Sequence, residues 1–280
     1  MEELAIGLMI RFAVPPEESF RRLRGFGLRH CQLTAPPDHY LYGDEGRENT
    51  RKLKEAAARN DVVFTSLFIS FPDQDWKDWR NGIGLVPAHT RTLRFIRACR
   101  SADWARELGV TQLTSHVGAV PEDPASPLYQ SFVTDMRAYL KLLEANGQTL
   151  AYETGQESVA TLKRLMDDLG AANQGVNFDP ANLLIYNEDD PSVLLRELGD
   201  RILHVHCKDG VRPEAGKELG RETRLGEGDT RFSELLRELI ARGYRGPLTI
   251  EREIAAGPEL DRDVANAIIS LNQWKQEFAI

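Results

Sequence analysis

The chain has 280 residues, of which 41% are hydrophobic and 28% are charged, and its formal net charge at pH 7 is −8. This composition is typical of a soluble globular protein, and the acidic balance argues against nucleic-acid and anionic-membrane partners, because clustered Lys and Arg hold both. No stretch is long and apolar enough for a signal peptide or a membrane span, so we expect a cytoplasmic protein without membrane association. The three cysteines are widely spaced and form no CxxC pattern, which favours a reducing compartment.

Apolar runs rich in branched residues alternate along the chain with amphipathic segments. The apolar runs predict eight strands, at Leu4–Ile10, Leu28–Leu33, Val62–Phe71, Thr111–Ser115, Gln148–Glu153, Gly175–Phe178, Ile202–His206 and Pro247–Ile250. The amphipathic segments predict eight helices, at Glu17–Arg24, Glu45–Asn60, Thr90–Leu108, Leu128–Asn146, Ser158–Leu169, Pro191–Leu198, Phe232–Arg242 and Pro258–Phe278. The segments Pro72–Val86 and Val211–Thr230 are predicted to be loops.

The regular alternation of strands and helices determines the predicted fold class. Strands separated by helices are expected to be parallel and joined by right-handed crossovers. Eight such units in 280 residues predict a single-domain (β/α)8 TIM barrel over residues 1–280. An open doubly wound sheet is the alternative, but the sequence contains neither GxGxxG after the first strand nor GxxxxGK[ST].

The later predicted strands end in side chains that can bind a cation: Glu153, Asp179, His206 and Glu251. In a barrel of this class, function lies at the carboxyl ends of the strands. Because side chains alternate along a strand, all of these ends are predicted to point into the same opening. His204 lies one pleat deeper and is predicted to be a buried histidine rather than a ligand, and Cys207 is predicted to face outward as a buried apolar residue.

Three carboxylates and one imidazole make a hard, mostly anionic donor set. Crowded together without a cation, the carboxylates would raise one another's pKa values, and a divalent ion removes that penalty. The set suits Mn²⁺, Mg²⁺ or Co²⁺, with Zn²⁺ as a further alternative. We therefore predict one divalent metal ion, with Mn²⁺ favoured, and about two open coordination positions for a chelating substrate.

The strand ends belong to five short motifs, in which capitals mark the residues that carry the resemblance described next. The motifs are EtGqE at Glu153–Glu157, NFDPaN at Asn177–Asn182, HvHcKDG at His204–Gly210, LGEGD at Leu225–Asp229 and GYrGpLtIE at Gly243–Glu251. In this order the motifs resemble the xylose-isomerase-like TIM-barrel superfamily. They resemble more closely its sugar phosphate isomerase/epimerase branch, which includes the ketose 3-epimerases. The resemblance is strongest between Thr111 and Glu251.

The resemblance implies a site and a reaction. It makes Glu153, Asp179, His206 and Glu251 the metal ligands, and the two glutamates the acid/base pair. One glutamate would remove the proton α to a carbonyl, giving an enediolate, and the other would return a proton from the opposite side. The implied protein is a metal-dependent isomerase or epimerase of a small-molecule sugar or sugar derivative. The ketose 3-epimerases have a histidine at the position of Asn182 and differ at Lys208, so a keto-glycoside, a phosphorylated sugar and a sugar acid all remain open.

Further residues near the strand ends are candidate substrate contacts: His116, Asn182, Lys208, Gln156, Glu157 and Arg11. Structural roles are the alternatives for each. The ammonium group of Lys208 could form an ion pair with Asp209 or Glu227, and Arg11 could pair with a barrel carboxylate.

Helix capping is the alternative role for three of these candidates. Asn182 could cap the turn that follows DPA, and Gln156 with Glu157 could cap the helix after the fifth strand. In the first long loop, Trp76 and Trp79 could form a lid over a sugar, although packing between loop and helix is favoured.

Three other functions compete with the isomerase. A dehydratase or lyase would act on a polyol or keto-sugar with the same ligands and expel a β-hydroxyl, which requires an extra acid such as His116 or Lys208. An abasic-site endonuclease is disfavoured, because a multi-zinc cluster needs many histidines and the chain has six in all, with no basic stripe. A sugar-binding or scaffold barrel would need no metal. The oligomeric state, including a homo-oligomer, is left open.

Overall fold

The structure, a computed structural model, describes residues 3–13 and 15–278. The β-strands are β1 (Ile6–Ile10), β2 (His30–Thr34), β3 (Val63–Phe68), β4 (Gln112–Ser115), β5 (Thr149–Glu153), β6 (Gln174–Phe178), β7 (Ile202–Cys207), β8 (Asp209–Val211), β9 (Arg221–Thr223) and β10 (Leu248–Ile250). The α-helices are α1 (Glu17–Gly25), α2 (Gly43–Arg59), α3 (Trp79–Gly82), α4 (Ala88–Glu107), α5 (Pro127–Ala145), α6 (Val159–Leu169), α7 (Pro180–Ile185), α8 (Pro191–Leu198), α9 (Phe232–Ala241) and α10 (Pro258–Glu277).

Eight of the strands form a closed barrel in the order β1-β10-β7-β6-β5-β4-β3-β2. Neighbouring strands pair in parallel, as between β1 and β2, between β6 and β7 and between β7 and β10. The predicted (β/α)8 barrel is therefore confirmed, with small shifts at strand ends such as β3, which ends at Phe68 rather than at Phe71. Among the described residues, none of the helices is both long and apolar enough to cross a bilayer.

The structure corrects both predicted loops. The segment Val211–Thr230 contributes to an antiparallel pair, in which β8 and β9 align Asp209 with Thr223 and Val211 with Arg221. These strands have three residues each and are largely polar, so hydrophobic alternation gives no signal for them. The first long loop contains the single turn of α3.

The described residues group into two compact units. The N-terminal unit comprises Gly7–Ala151 and Leu169–Gln174, and the C-terminal unit comprises the described parts of Met1–Ile6, Tyr152–Asp168 and Gly175–Ile280. The prediction of a single domain stays a prediction. The motif-bearing strand ends, from the end of β5 onwards, all belong to the C-terminal unit.

In the N-terminal unit, polar side chains inside the sheet are satisfied by one another. Gln32 Nε2 donates hydrogen bonds to Ser66 Oγ at 2.7 Å and to Thr114 Oγ1 at 3.2 Å, linking β2, β3 and β4. Position 7 on β1 has no room for a side chain and is occupied by glycine, because a Cβ at Gly7 would lie 2.9 Å from the carbonyl oxygen of His30. The buried polar layer therefore incurs little of the cost of unsatisfied hydrogen-bonding groups.

A buried hydroxyl joins α2 to α4 in the same unit and supports a stability prediction. Thr50 Oγ1 accepts from Trp104 Nε1 at 2.8 Å and donates to the carbonyl oxygen of Gly46 at 2.8 Å. Thr50→Val keeps the shape but leaves the buried indole N–H unsatisfied, so we expect it to lower the free energy of unfolding by about 2 kcal/mol. Thr50→Ser keeps the hydroxyl and is the matched control. Urea denaturation that ranks the valine variant as no less stable than the serine variant would contradict this role.

In the C-terminal unit, strand register and helix caps fix the motif residues. Across β6, β7 and β10, Asn177 pairs with His204, and His206 pairs with Thr249. Helix α7 begins directly after β6, because Asp179 Oδ1 accepts the backbone N–H of Asn182 at 2.9 Å and a proline occupies the first helical position. Asp179 is thus held rigidly at the carboxyl end of its strand.

Candidate metal centre

Four elements of the C-terminal unit supply the predicted cation-binding side chains. Glu153 is the last residue of β5, and His206 lies one residue before the end of β7. Asp179 and Glu251 directly follow β6 and β10. The carboxyl ends of neighbouring parallel strands lie at one edge of a sheet, which is why residues so far apart in sequence meet here.

The four side chains converge on one small volume. Their candidate donor atoms all lie within 4.8 Å of one another. The Nδ1 atom of His206 is 2.9 Å from Glu153 Oε1, 3.1 Å from Glu251 Oε2 and 3.5 Å from Asp179 Oδ2. All four are buried, and Glu251, the most accessible, is 9% exposed. The groups are therefore screened from water, so their mutual electrostatic interactions are strong.

The charges of the cluster perturb one another. Burial alone would lower the pKa of His206, but Glu251 and Glu153 outweigh it and hold that pKa well above its ordinary value. Burial alone would raise the pKa of Glu251, but the Lys208 ammonium and the His206 ring outweigh it and hold that pKa well below its ordinary range. Burial raises the pKa of Asp179, and Lys208 offsets this only partly. The carboxylates of the cluster therefore depend on nearby positive charge to stay ionised.

The donor set fits a divalent cation. Asp179 Oδ2 is fully buried and has no hydrogen-bond partner among the described residues, with His206 Nδ1 at 3.5 Å and Lys208 Nζ at 3.6 Å. A buried carboxylate oxygen in this state requires a cation, a proton or water. Carboxylate oxygens and one imidazole nitrogen suit Mg²⁺, Mn²⁺ and similar ions. The cluster could therefore hold such a metal ion, as the sequence predicted.

Lys208 directly adjoins the cluster. Its Nζ donates to Glu253 Oε2 at 2.7 Å, to Glu251 Oε2 at 3.2 Å and to Asn182 Oδ1 at 3.3 Å. Burial alone would lower the pKa of Lys208, but Glu251 and Glu253 hold it well above its ordinary value. The alternative pairing with Asp209 or Glu227 is wrong, because the ammonium group turns towards the cluster instead.

Asn182 joins the strand end of β5 to the lysine. Its Nδ2 donates to the carbonyl oxygen of Thr154 at 3.1 Å, and its Oδ1 accepts from Lys208. The cap of α7 uses the side chain of Asp179, so the side chain of Asn182 is not the cap. A substrate contact at this residue stays a prediction.

Gln156 and Glu157 lie buried in the loop after β5, at 5% and 4% exposure. The predicted capping alternative for them is wrong, because Ser158 Oγ and Asp189 accept the backbone N–H groups at the start of α6. Neither carboxylate oxygen of Glu157 has a hydrogen-bond partner among the described residues. Burial, then Glu188 and Glu153, raise the pKa of Glu157 well above its ordinary value, and nearby backbone N–H groups offset this only partly.

The neighbours of the cluster on β7 have the predicted structural roles. His204 is fully buried, and its Nε2 is 2.7 Å from Thr249 Oγ1, outside the group of candidate donors. Burial lowers the pKa of His204 well below its ordinary value. Cys207 is buried, as its predicted apolar role requires, and burial raises the pKa of its thiol.

The two remaining predicted contacts belong to the N-terminal unit. His116 follows β4 and is buried, and its ring stands edge-on to Phe68 and Trp76 at centroid distances of 5.7 and 5.8 Å. Arg11 follows β1 and is exposed. Trp79 is buried, as the packing interpretation predicts, whereas Trp76 is 52% exposed. Substrate contacts at His116 and Arg11 stay predictions.

The sequence profile described as "Xylose isomerase-like TIM barrel" matches residues 20–273. The chain belongs to this family. No curated protein sequence matches it. A family structure, a xylose isomerase domain protein from Planctomyces limnophilus, is 29% identical, with a TM-score of 0.89 over 99% of each chain. The resemblance predicted from the strand-end motifs is thus confirmed.

More distant structures share the family fold. A xylose isomerase-like TIM barrel protein from Mycobacterium smegmatis, in complex with magnesium, is 16% identical, with a TM-score of 0.75 over 100% of this chain and 98% of its own. A D-tagatose 3-epimerase-like protein is 18% identical, with a TM-score of 0.75 over 99% of this chain and 98% of its own. A 3-keto-D-glucoside 4-epimerase from E. coli is 15% identical, with a TM-score of 0.70 over 97% and 100%. The probable 3-DHS dehydratase from Bacillus anthracis is 14% identical, with a TM-score of 0.67 over 96% and 98%.

A buried aspartate in the family-like HvHcKDG motif has a role that the sequence interpretation missed. Asp209 Oδ1 accepts from the backbone N–H groups of Gly210 and Thr230 and from the Thr230 hydroxyl. Its Oδ2 accepts from the N–H groups of Gly226 and Gly228. The aspartate therefore ties the LGEGD segment to the start of β8, one residue after the lysine in sequence. The only sign of this role in the sequence is the pair Gly226 and Gly228, because glycines leave their backbone N–H groups accessible to an acceptor.

Glu253 is the second residue that the interpretation missed. It lies two residues beyond Glu251, is 47% exposed and makes the shortest of the contacts to Lys208 described above. Its backbone N–H donates to both carboxylate oxygens of Glu222 on β9. The hairpin β8–β9 thereby positions Glu253, and because that hairpin was not predicted, neither was this contact.

Proposed function

We propose that the protein is a divalent-metal-dependent isomerase or epimerase of a sugar or sugar derivative, working by proton transfer α to a carbonyl. The observation that carries this proposal is the buried cluster of Glu153, Asp179, His206 and Glu251, with two glutamates at 2.9 and 3.1 Å from the same histidine nitrogen. The epimerases among the structural neighbours support it, since they share the fold.

In the proposed reaction the two glutamates move the protons. When bound, a divalent ion would polarise the substrate carbonyl and so acidify the neighbouring C–H bond. One of Glu153 and Glu251 removes that proton, giving an enediolate, and the other returns a proton from the opposite side. Lys208 keeps Glu251 ionised and oriented, because its Nζ donates to Glu251 Oε2.

The other predicted contacts complete the proposed substrate site. Asn182, Gln156 and Glu157 are buried polar groups of the unit that carries the cluster, and we assign them to the substrate hydroxyls. We assign Lys208 to the same site through its contact with Glu251, which it holds towards the substrate. We further propose Mn²⁺ as the metal, because an oxygen-rich donor set with one imidazole suits it; the neighbour in complex with magnesium supports an ion of this class.

Solvent exchange tests the proposed function directly. The metal-stripped protein, reloaded separately with Mn²⁺, Mg²⁺, Co²⁺ and Zn²⁺, is incubated in D₂O with D-fructose, D-tagatose, D-xylose and a 3-keto-D-glucoside. We expect metal-dependent incorporation of deuterium next to the carbonyl of at least one sugar, seen by NMR, and epimerised or isomerised product. Equal activity of the stripped and reloaded proteins would contradict the proposal.

A dehydratase is the second candidate, and one contact favours it. The ammonium group of Lys208 lies beside Glu251, where it could protonate a departing hydroxyl after the first proton transfer. The dehydratase fold neighbour is consistent with this chemistry. The same D₂O experiment separates the two reactions, because elimination yields a product lighter by one water, whereas epimerisation leaves the mass changed only by deuterium.

A further inference from the structure

The acceptors around the positively charged side chains near the cluster indicate which class of substrate the proposed site can bind. An ammonium group has three N–H donors. Lys208 Nζ has acceptors at 2.7, 3.2 and 3.3 Å, in Glu253, Glu251 and Asn182. The lysine is 2% exposed and its donors are matched by protein oxygens, two of which are carboxylates. It is therefore already neutralised and is a poor receptor for a phosphate or carboxylate.

Two guanidinium groups near the lysine, those of Arg252 and Arg224, also lie beside carboxylates. Arg252 Nη1 lies 3.1 Å from Glu222 Oε1, and its Nε lies 2.9 Å from Asp263 Oδ2. Arg224 Nε lies 2.8 Å from Asp263 Oδ1. Arg252 thus bridges carboxylates of β9 and α10, and Arg224 faces a carboxylate of α10, so both guanidinium groups already have an anionic partner within the protein.

One acidic group beside the cluster, by contrast, has unused hydrogen-bonding capacity. Glu157 is buried, and its two carboxylate oxygens lack hydrogen-bond partners among the described residues. A buried polar group in this state requires a ligand or water. A sugar hydroxyl can donate to a carboxylate and accept from a carboxylic acid, whereas a phosphate dianion or a carboxylate offers only acceptors and adds like charge.

We propose, on the basis of the proposed function, that the site selects uncharged polyhydroxy substrates, and that Glu253 is the residue that disfavours phosphorylated and carboxylated sugars. Its carboxylate lies 2.7 Å from Lys208 Nζ and neutralises the ammonium charge that would otherwise attract an anionic substituent. Removing this negative charge would leave the ammonium group of Lys208 with net positive charge available to an anionic ligand. Glu253 is thus proposed to determine specificity, whereas Glu153 and Glu251 carry out the proton transfers.

Matched pairs of ligands test the inference. Binding of D-glucitol and D-glucitol 6-phosphate to the Mn²⁺-loaded protein is measured by calorimetry. Deuterium exchange is measured with D-fructose and its 1- and 6-phosphates. We expect the neutral member of each pair to be preferred by about tenfold or more. Equal or stronger binding of the polyol phosphate, or binding of neither polyol, overturns the inference. Absence of exchange with every sugar, with the binding preference intact, overturns the proposed function alone.

A charge-removing variant assigns the preference to the residue. Glu253→Gln is expected to shift the ratio of phosphate to neutral binding by about fivefold or more towards the phosphate, since it removes one of the carboxylate charges that neutralise Lys208 while keeping an oxygen that can accept its N–H. Glu227→Gln removes the same charge from an exposed residue of the LGEGD segment and is the control. Equal shifts in both variants would show a general charge effect and overturn the role of Glu253.

Discussion

Replacing Glu153 by glutamine is expected to lower the rate of deuterium exchange by about three orders of magnitude. The amide is nearly isosteric with the carboxylate, so the contact with His206 Nδ1, now 2.9 Å, can persist while the proton acceptor is lost. The exchange assay on the responsive sugar measures the rate, and mass spectrometry of the intact protein measures the bound metal. A variant that keeps its metal and its fold but loses exchange would assign the glutamate to the proton transfer.

Glu55→Gln is the control for this substitution, because Glu55 lies on the exposed side of α2 and pairs with Arg51. It should leave the exchange rate unchanged. If Glu153→Gln retained exchange within about threefold of the unaltered protein, the acid/base assignment would be wrong, since removing a general base typically costs far more.

The barrel could be predicted because its strands and helices differ in the spacing of their hydrophobic residues. Parallel strands buried on both faces are near-continuous apolar runs, as in β3, and amphipathic helices separate them. The predicted helix Ser158–Leu169 and the observed Val159–Leu169 differ by one residue, since glycine and a capping serine mark its ends. The cation-binding cluster could be predicted for a related reason, because all parallel strands present their carboxyl ends on the same side.

The rest of the site depends on contacts that carry no periodic signal. The hairpin β8–β9 is short and polar, and it is held by Gly220 N–H donating to the carbonyl oxygen of Ile185. Glu222 of this hairpin accepts the backbone N–H of Glu253, whose carboxylate contacts Lys208. Substrate specificity, as inferred above, resides largely in such contacts, so motifs that predict the metal donors leave the substrate undetermined.

Asp209→Asn is expected to lower the free energy of unfolding by about 3 kcal/mol, because an amide cannot accept from all the N–H groups that the carboxylate now binds. Both oxygens are used, at 2.8 to 3.2 Å, by donors from Gly210, Gly226, Gly228 and Thr230. Rotating the amide either way directs its NH₂ group against backbone N–H groups. Urea denaturation measures the loss, and hydrogen exchange should show faster exchange at the Gly226, Gly228 and Thr230 amides.

Asp229→Asn is the matched control, since Asp229 lies in the same LGEGD segment, is exposed and carries the same charge. It should change stability by less than about 0.5 kcal/mol. If Asp209 only stabilised the fold, a refolded Asp209→Asn protein at low temperature would recover full exchange activity. We expect instead that activity stays reduced, because Lys208 immediately precedes the aspartate and its contacts with Glu251 and Glu253 depend on that backbone. Full recovery would limit the aspartate to a structural role.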